Sequence, residues 1–195
     1  MFLTKLGQNF EMFYLKGNRK YLHSTDIISY LFAKYKKIKS LDIKFYKIIT
    51  GNPRLKIINK KVSSIKYDCV ANLDLESKRL ISLIFSGTKK KIVQSYSYNE
   101  ELLYPYFKIL KKKISLKKKI DWKIIDLLIS MSKFYCEKKI GRKKWLVYRV
   151  IIDNNFITKN FKSVELILMK EIKKKIYVFE IILDKKSYGS IYYTY

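Results

Sequence analysis

The chain carries one imidazole. His23 lies in "YLHSTDIISYL" (21–31), and Asp26 follows three residues later. A neutral imidazole takes or gives a proton near neutral pH, and a carboxylate beside it orients the ring. In "KIDWKIIDLLI", 98 residues after His23, Asp121 stands at the same place before a second apolar segment. His23 as base with Asp121 as partner is one reading of this pattern, and Asp26 is the nearer alternative carboxylate. The structural reading is that His23 caps or precedes a helix and that Asp121 is an N-cap.

Other groups are thinner. "GRKKW" (141–145) sets Arg142, Lys143 and Lys144 beside an indole, where they can hold a phosphate; a turn entering a strand explains them equally well. "ESK" (76–78) after Asp68 has the residue types of a nuclease metal site, but a lysine-rich chain produces such triplets by chance. No P-loop, G-x-S-x-G, H-E-x-x-H or Cys/His cluster is present, so no metal is expected. Cys69 and Cys136 are far apart in sequence and read as free thiols of a cytoplasmic protein. No leader and no apolar run near the roughly 20 residues of a membrane span is found.

The elements that must position these residues come in two sets. Around His23, Ser24 or Thr25 is the expected N-cap, and Ile27, Ile28, Leu31, Phe32 and Tyr35 recur at helical spacing. After Asp121, Ile124, Ile125, Leu127, Leu128 and Met131 leave hardly any polar face, as in a buried helix. Before each helix lies an aromatic-rich segment, "FEMFYLKG" (10–17) and "FKILKKKI" (107–114). After each come strand-like segments in the same order: "SLDIKFYKII" and "RKKWLVYRVII", "SSIKYDCVANLDL" and "KSVELILMKEI", "KRLISLIFSGT" and "KKIYVFEIILD", "KKIVQSYSY" and "SYGSIYYTY". Corresponding segments are offset by 96 to 102 residues. Gly51-Asn52-Pro53 and Asp153-Asn154-Asn155 punctuate the same place in each half.

Order and spacing therefore predict an α+β chain with an internal duplication of a β-α-β-β-β-β unit, repeats 1–100 and 101–195, packed as one monomeric pseudo-dimer. One helix per four or five antiparallel strands resembles the hotdog fold, and two copies resemble the double-hotdog proteins; a cystatin-like unit is the alternative. The resemblance is one of architecture and covers nearly the whole chain. It implies an acyl thioester, carried by coenzyme A or an acyl carrier protein, as ligand or substrate, with thioesterase- or dehydratase-like chemistry. It also implies a site where the chain enters the central helix, which is where His23 lies. The proline and glycine that surround the dehydratase histidine are absent from "YLHSTDII".

Charge gives a second direction. The 195 residues carry a net +27, from 43 basic and 16 acidic side chains. Such a surface suits nucleic acid or an acidic partner such as an acyl carrier protein. Only five of the basic residues are arginine, however, the residue best suited to bidentate phosphate and base contacts. A chain rich in Lys, Ile, Tyr and Phe is also what an AT-rich genome encodes. An RNA- or ribosome-associated protein from an AT-rich or organellar genome is thus the alternative function.

Overall fold

The computed structural model describes residues 13–35, 37–77, 80–118, 120–153 and 161–195. Its centre is one antiparallel sheet of ten strands. After a two-residue strand, β1 (Leu15–Lys16), the first helix α1 covers Ser24–Lys34. Strands β2 (Ile38–Phe45), β3 (Gly51–Ile58), β4 (Cys69–Leu75), β5 (Leu80–Lys91) and β6 (Ser95–Tyr96) follow. A 3₁₀ helix (Glu100–Tyr106) leads into β7 (Phe107–Leu110), β8 (Lys113–Leu116) and α2 (Ile124–Lys139). The chain ends in β9 (Leu146–Ile152), β10 (Val164–Ile172), β11 (Ile176–Leu183) and β12 (Lys186–Thr194).

The sheet runs β3-β5-β4-β2-β9-β12-β11-β10-β8-β7. The two halves meet at the β2–β9 pair, in register from Leu41↔Ile152 to Lys44↔Arg149, so one ladder joins them. Arg149 grips the Asp42 carboxylate there with two charge-assisted bonds, Nε to Oδ1 at 2.7 Å and Nη2 to Oδ2 at 2.8 Å. The helices pack against each other, and α2 lies against β8, β10 and β12. One apolar cluster runs from Leu22, Ile28 and Leu31 through Leu128 and Met131 to Phe179 and Ile191.

The α+β class and single-helix plan of each half are present, but the halves do not share a strand order. Outward from the seam the first runs β2-β4-β5-β3 and the second β9-β12-β11-β10. In the second half, tight hairpins join β10, β11 and β12 in sequence. In the first, the β4–β5 hairpin inserts between β2 and β3. Gly51-Asn52-Pro53, expected as a turn, instead opens β3 at the edge of the sheet, where Pro53 faces Gly87 and a missing N–H is tolerated.

The other departures are local. Ile65 is 75% exposed, and the strand expected from residue 63 begins only at Cys69. From there five successive residues are buried instead of alternating. Asn72 explains the outer face: its amide holds Val62 N and O at 3.0 Å each and accepts from Ser82 Oγ, so residues 60–62 cover that side. "SYSY" does not mirror β12; its Ser95 and Tyr96 pair in parallel with β1 outside the main sheet. β12 itself alternates, with Ile191 and Tyr193 buried and Tyr192 and Thr194 partly exposed. Phe10, Glu11, Met12, Lys78, Asn154 and Asn155 lie outside the described residues.

Candidate functional site

His23 is the N-cap residue of α1, in extended backbone, and makes no side-chain capping bond. Ser24 and Thr25, expected in that role, are inside the helix. Thr25 is completely buried, and its Oγ1 lies 2.9 Å from His23 Nδ1. On the other side of that hydroxyl is Lys16, 1% exposed, whose Nζ is 2.5 Å from Thr25 Oγ1. The same ammonium reaches Asp126 Oδ1 on α2 at 2.5 Å and lies 3.8 Å from Asp26 Oδ1. The Tyr98 ring is centred 4.3 Å from Nζ. A buried ammonium is tolerated when each of its protons meets an acceptor or a π face, and here Thr25, Asp126 and Tyr98 supply those.

Around this chain sits a second ring of polar groups. Tyr96 donates to Asp26 Oδ1 at 2.8 Å, and Tyr98 OH pairs with Ser130 Oγ at 3.3 Å. Arg19 Nη2 donates to buried Glu100 at 3.0 Å, and Lys133 closes on the same carboxylate. The cluster thus draws on β1, α1, α2 and the 3₁₀ helix.

Burial sets the titration of its members. His23 is held well below the usual imidazole value, first by desolvation and then by the charges of Arg19, Lys16 and Lys133. It is a neutral ring at neutral pH. Asp26 is pushed up by burial, against the pull of Lys16 and the Tyr96 hydrogen bond. Its Oδ2 is buried with no hydrogen-bond partner among the described residues. Both cysteine thiols are buried and pushed up, which makes them poor nucleophiles.

With Nδ1 held by Thr25, the remaining nitrogen of His23 is Nε2, and His23 is one of the residues lining a cavity of about 390 Å³ at the seam. The walls come from the segment entering α1 (Tyr21, Leu22), α1 itself (Ile27), the end of β2 and the loop after it (Phe45 to Ile49), and Trp145 with the start of β9 (Leu146 to Tyr148), with Tyr193 of β12. They are mostly apolar, and the buried titratable side chains among them are His23 and Tyr193.

The other predicted residues fall elsewhere. Asp121 is exposed, two residues ahead of Lys123, the actual N-cap of α2, and does not line the cavity. The carboxylate that α2 brings to the cluster is Asp126, in its first turn. Asp26 joins the cluster through Tyr96 and Lys16. Arg142, Lys143 and Lys144 are exposed and line a neighbouring polar groove with Glu101, Tyr104 and Glu137. Lys144 stands 6.0 Å from the ring of Tyr21, on the cavity wall, and Lys143 packs 3.3 Å over Tyr195. Among the described residues no group of His, Cys, Asp and Glu is placed to hold a metal, and no helix is long and apolar enough to cross a membrane.

Lys16 and Asp126 were missed from sequence. Asp126 did leave a signal: an acid between Ile125 and Leu127 on a helix apolar nearly all round needs a buried partner. Lys16 left none among 38 lysines.

No family model matches the sequence. No curated protein matches it either. A solved structure of a "putative thioesterase II" from Thermobifida fusca YX superposes with a TM-score of 0.48 at 6% identity, over 90% of this chain and 86% of that one. A likeness that shallow says nothing about chemistry.

Proposed function

We propose that the chain binds an acyl thioester in the seam cavity, with His23 at the carbonyl. The observation that carries this reading is the cavity's make-up. An apolar space of about 390 Å³ has His23, the chain's one histidine, buried in its wall at a helix N-terminus and held neutral. Ile27, Ile49, Val147 and Tyr193 would hold the acyl chain. The carbonyl oxygen would meet His23 and the amide of Ser24, which lines the cavity and, as the first residue of α1, has no acceptor within the helix. Lys47 and Lys144 near the mouth, with Arg142 and Lys143 beyond, would face the phosphates of coenzyme A or phosphopantetheine. The net +27 would favour an acidic carrier protein as the donor. Neither requires a resident cofactor.

Trp145 lies on the cavity wall, so its fluorescence reports occupancy. Acyl-pantetheines and acyl-coenzyme A esters of graded length should quench or shift it saturably, and Val147→Trp should abolish the response. Release of free thiol under the same conditions decides whether binding leads to turnover. Absence of any saturable response across the series refutes the reading.

One feature favours nucleic acid as the second reading. A groove of about 560 Å³ near edge strand β3 is lined by Arg54, Lys90 and Lys91, together with Phe13 and Pro53, and by no acidic residue among the described residues. Binding there should weaken steeply and linearly in log salt if several phosphates are neutralised. Salt-insensitive binding counts against it.

A further inference from the structure

Thr25 has one hydroxyl proton and two lone pairs, and two nitrogens compete for them. Lys16 Nζ has only protons to offer, so at 2.5 Å it donates into one lone pair of Oγ1. The hydroxyl proton then needs an acceptor, because Thr25 is completely buried. His23 Nδ1, at 2.9 Å, is the acceptor the structure supplies. An Nδ1–H ring would aim a second donor at Oγ1 and strand the hydroxyl proton in the interior. The imidazolium would do the same, with Lys16, Arg19 and Lys133 adding repulsion. The donors therefore point one way, from ammonium to hydroxyl to ring, and the ring's own proton must sit on Nε2.

We propose that Lys16 and Thr25 form a buried relay that fixes His23 as the Nε2–H tautomer, so that the imidazole meets its ligand as a hydrogen-bond donor and not as a base. Asp126 anchors the relay from α2 by holding Lys16 at 2.5 Å. The direction of the relay stands on the free protein; that the acceptor in the cavity is a thioester carbonyl rests on the function proposed above. His23 then stabilises negative charge developing on that oxygen, and abstraction of a proton by this ring is disfavoured from the start. Lys16 and Thr25 are positioning residues, since neither lines the cavity.

A single histidine makes the test clean. The full chain labelled with ¹⁵N-histidine gives one pair of ring nitrogen signals, whose shifts and ring-proton couplings separate the two tautomers and the imidazolium. The relay predicts a pyrrole-type Nε2 and a pyridine-type Nδ1, unchanged from pH about 8 to about 6, where an unconstrained ring becomes half protonated. Thr25→Ser should keep this pattern, while Thr25→Val should give averaged, mixed-tautomer shifts. A wild-type spectrum showing Nδ1–H, a mixture or an imidazolium at pH about 7 overturns the proposal. So does a folded Thr25→Val variant with an unchanged pattern. Should Thr25→Val not fold, the wild-type and Thr25→Ser spectra decide alone. No ligand is present, so a failed acyl thioester titration leaves this result standing, and the reverse also holds.

Discussion

Lys16 Nζ lies 2.5 Å from Asp126 Oδ1, tying the strand before the first helix to the second helix across 110 residues of sequence. Both partners are buried, so each depends on the other for its charge to be tolerated. This contact sets the helix pair and, through Thr25, the ring of His23.

Removing one partner should therefore cost far more than removing both. Asp126→Ala strands the ammonium and is expected to destabilise by about 3–5 kcal/mol in urea denaturation. Lys16→Met with Asp126→Leu should lose less than Asp126→Ala alone, because apolar groups of similar size replace a desolvated pair. A double variant as damaged as the sum of its singles would mean that the ion pair is not what holds the helices together.

Acid should weaken the fold through His23 before the carboxylates titrate. Its native pKa is lowered, so as pH falls below about 6.5 the unfolded chain takes a proton that the native state refuses. Stability is then lost downward from that point, by at most about 1.4 kcal/mol per pH unit for one group. His23→Gln should flatten the slope between pH about 6.5 and 5. Asp26 acts in the opposite sense at lower pH. Its native pKa is raised, so the native state binds that proton first and gains stability as pH falls through the window. Equal slopes in wild type and His23→Gln would contradict the burial assigned to the ring.

The β9–β12 pairing is open to a similar test through two glycines with almost the same backbone angle. Gly189 has φ +131°, and a Cβ there would fall 2.1 Å from Ile151 O on β9. Gly141 has φ +132°, with nothing within 4 Å of the added atom. Gly189→Ala is expected to cost well over about 1 kcal/mol in thermal unfolding, by forcing β12 away from β9. Gly141→Ala carries only the backbone strain and should cost less. Matching losses would show that backbone strain and not the clash with β9 governs the cost at Gly189.

What could be read from the residues alone divides along physical lines. The apolar run 124–131 announced a buried helix, and α2 buries ten of its sixteen residues. The "SYGSIYYTY" alternation marked β12 because Ile191 and Tyr193 face the core on every second position. His23 stood out as a sole imidazole beside a helix start, and it does line the cavity. The hairpins of the second half were hard to place because their turns lack glycine and asparagine. Asp184 and Lys185 adopt φ of +47° and +65°, and Lys173 and Lys174 adopt +50° and +52°. Strand order was not legible at all. Nothing local tells β4 to insert beside β2, and the assignment of Gly51-Asn52-Pro53 to a turn hid the edge strand β3. Asp121 is legible as a candidate and Asp126 is not, because caps have a sequence signature and buried ion pairs across 110 residues do not.

Whether His23 donates a hydrogen bond to an acyl carbonyl inside the seam cavity is read by titrating ¹⁵N-histidine-labelled protein with an acyl-pantetheine ketone, in which a methylene replaces the thioester sulfur and the carbonyl is kept. A donated bond gives a saturable downfield shift of the His23 Nε2–H proton, lost in Val147→Trp. A saturated complex with an unmoved His23 signal, or binding that Val147→Trp leaves intact, would contradict it.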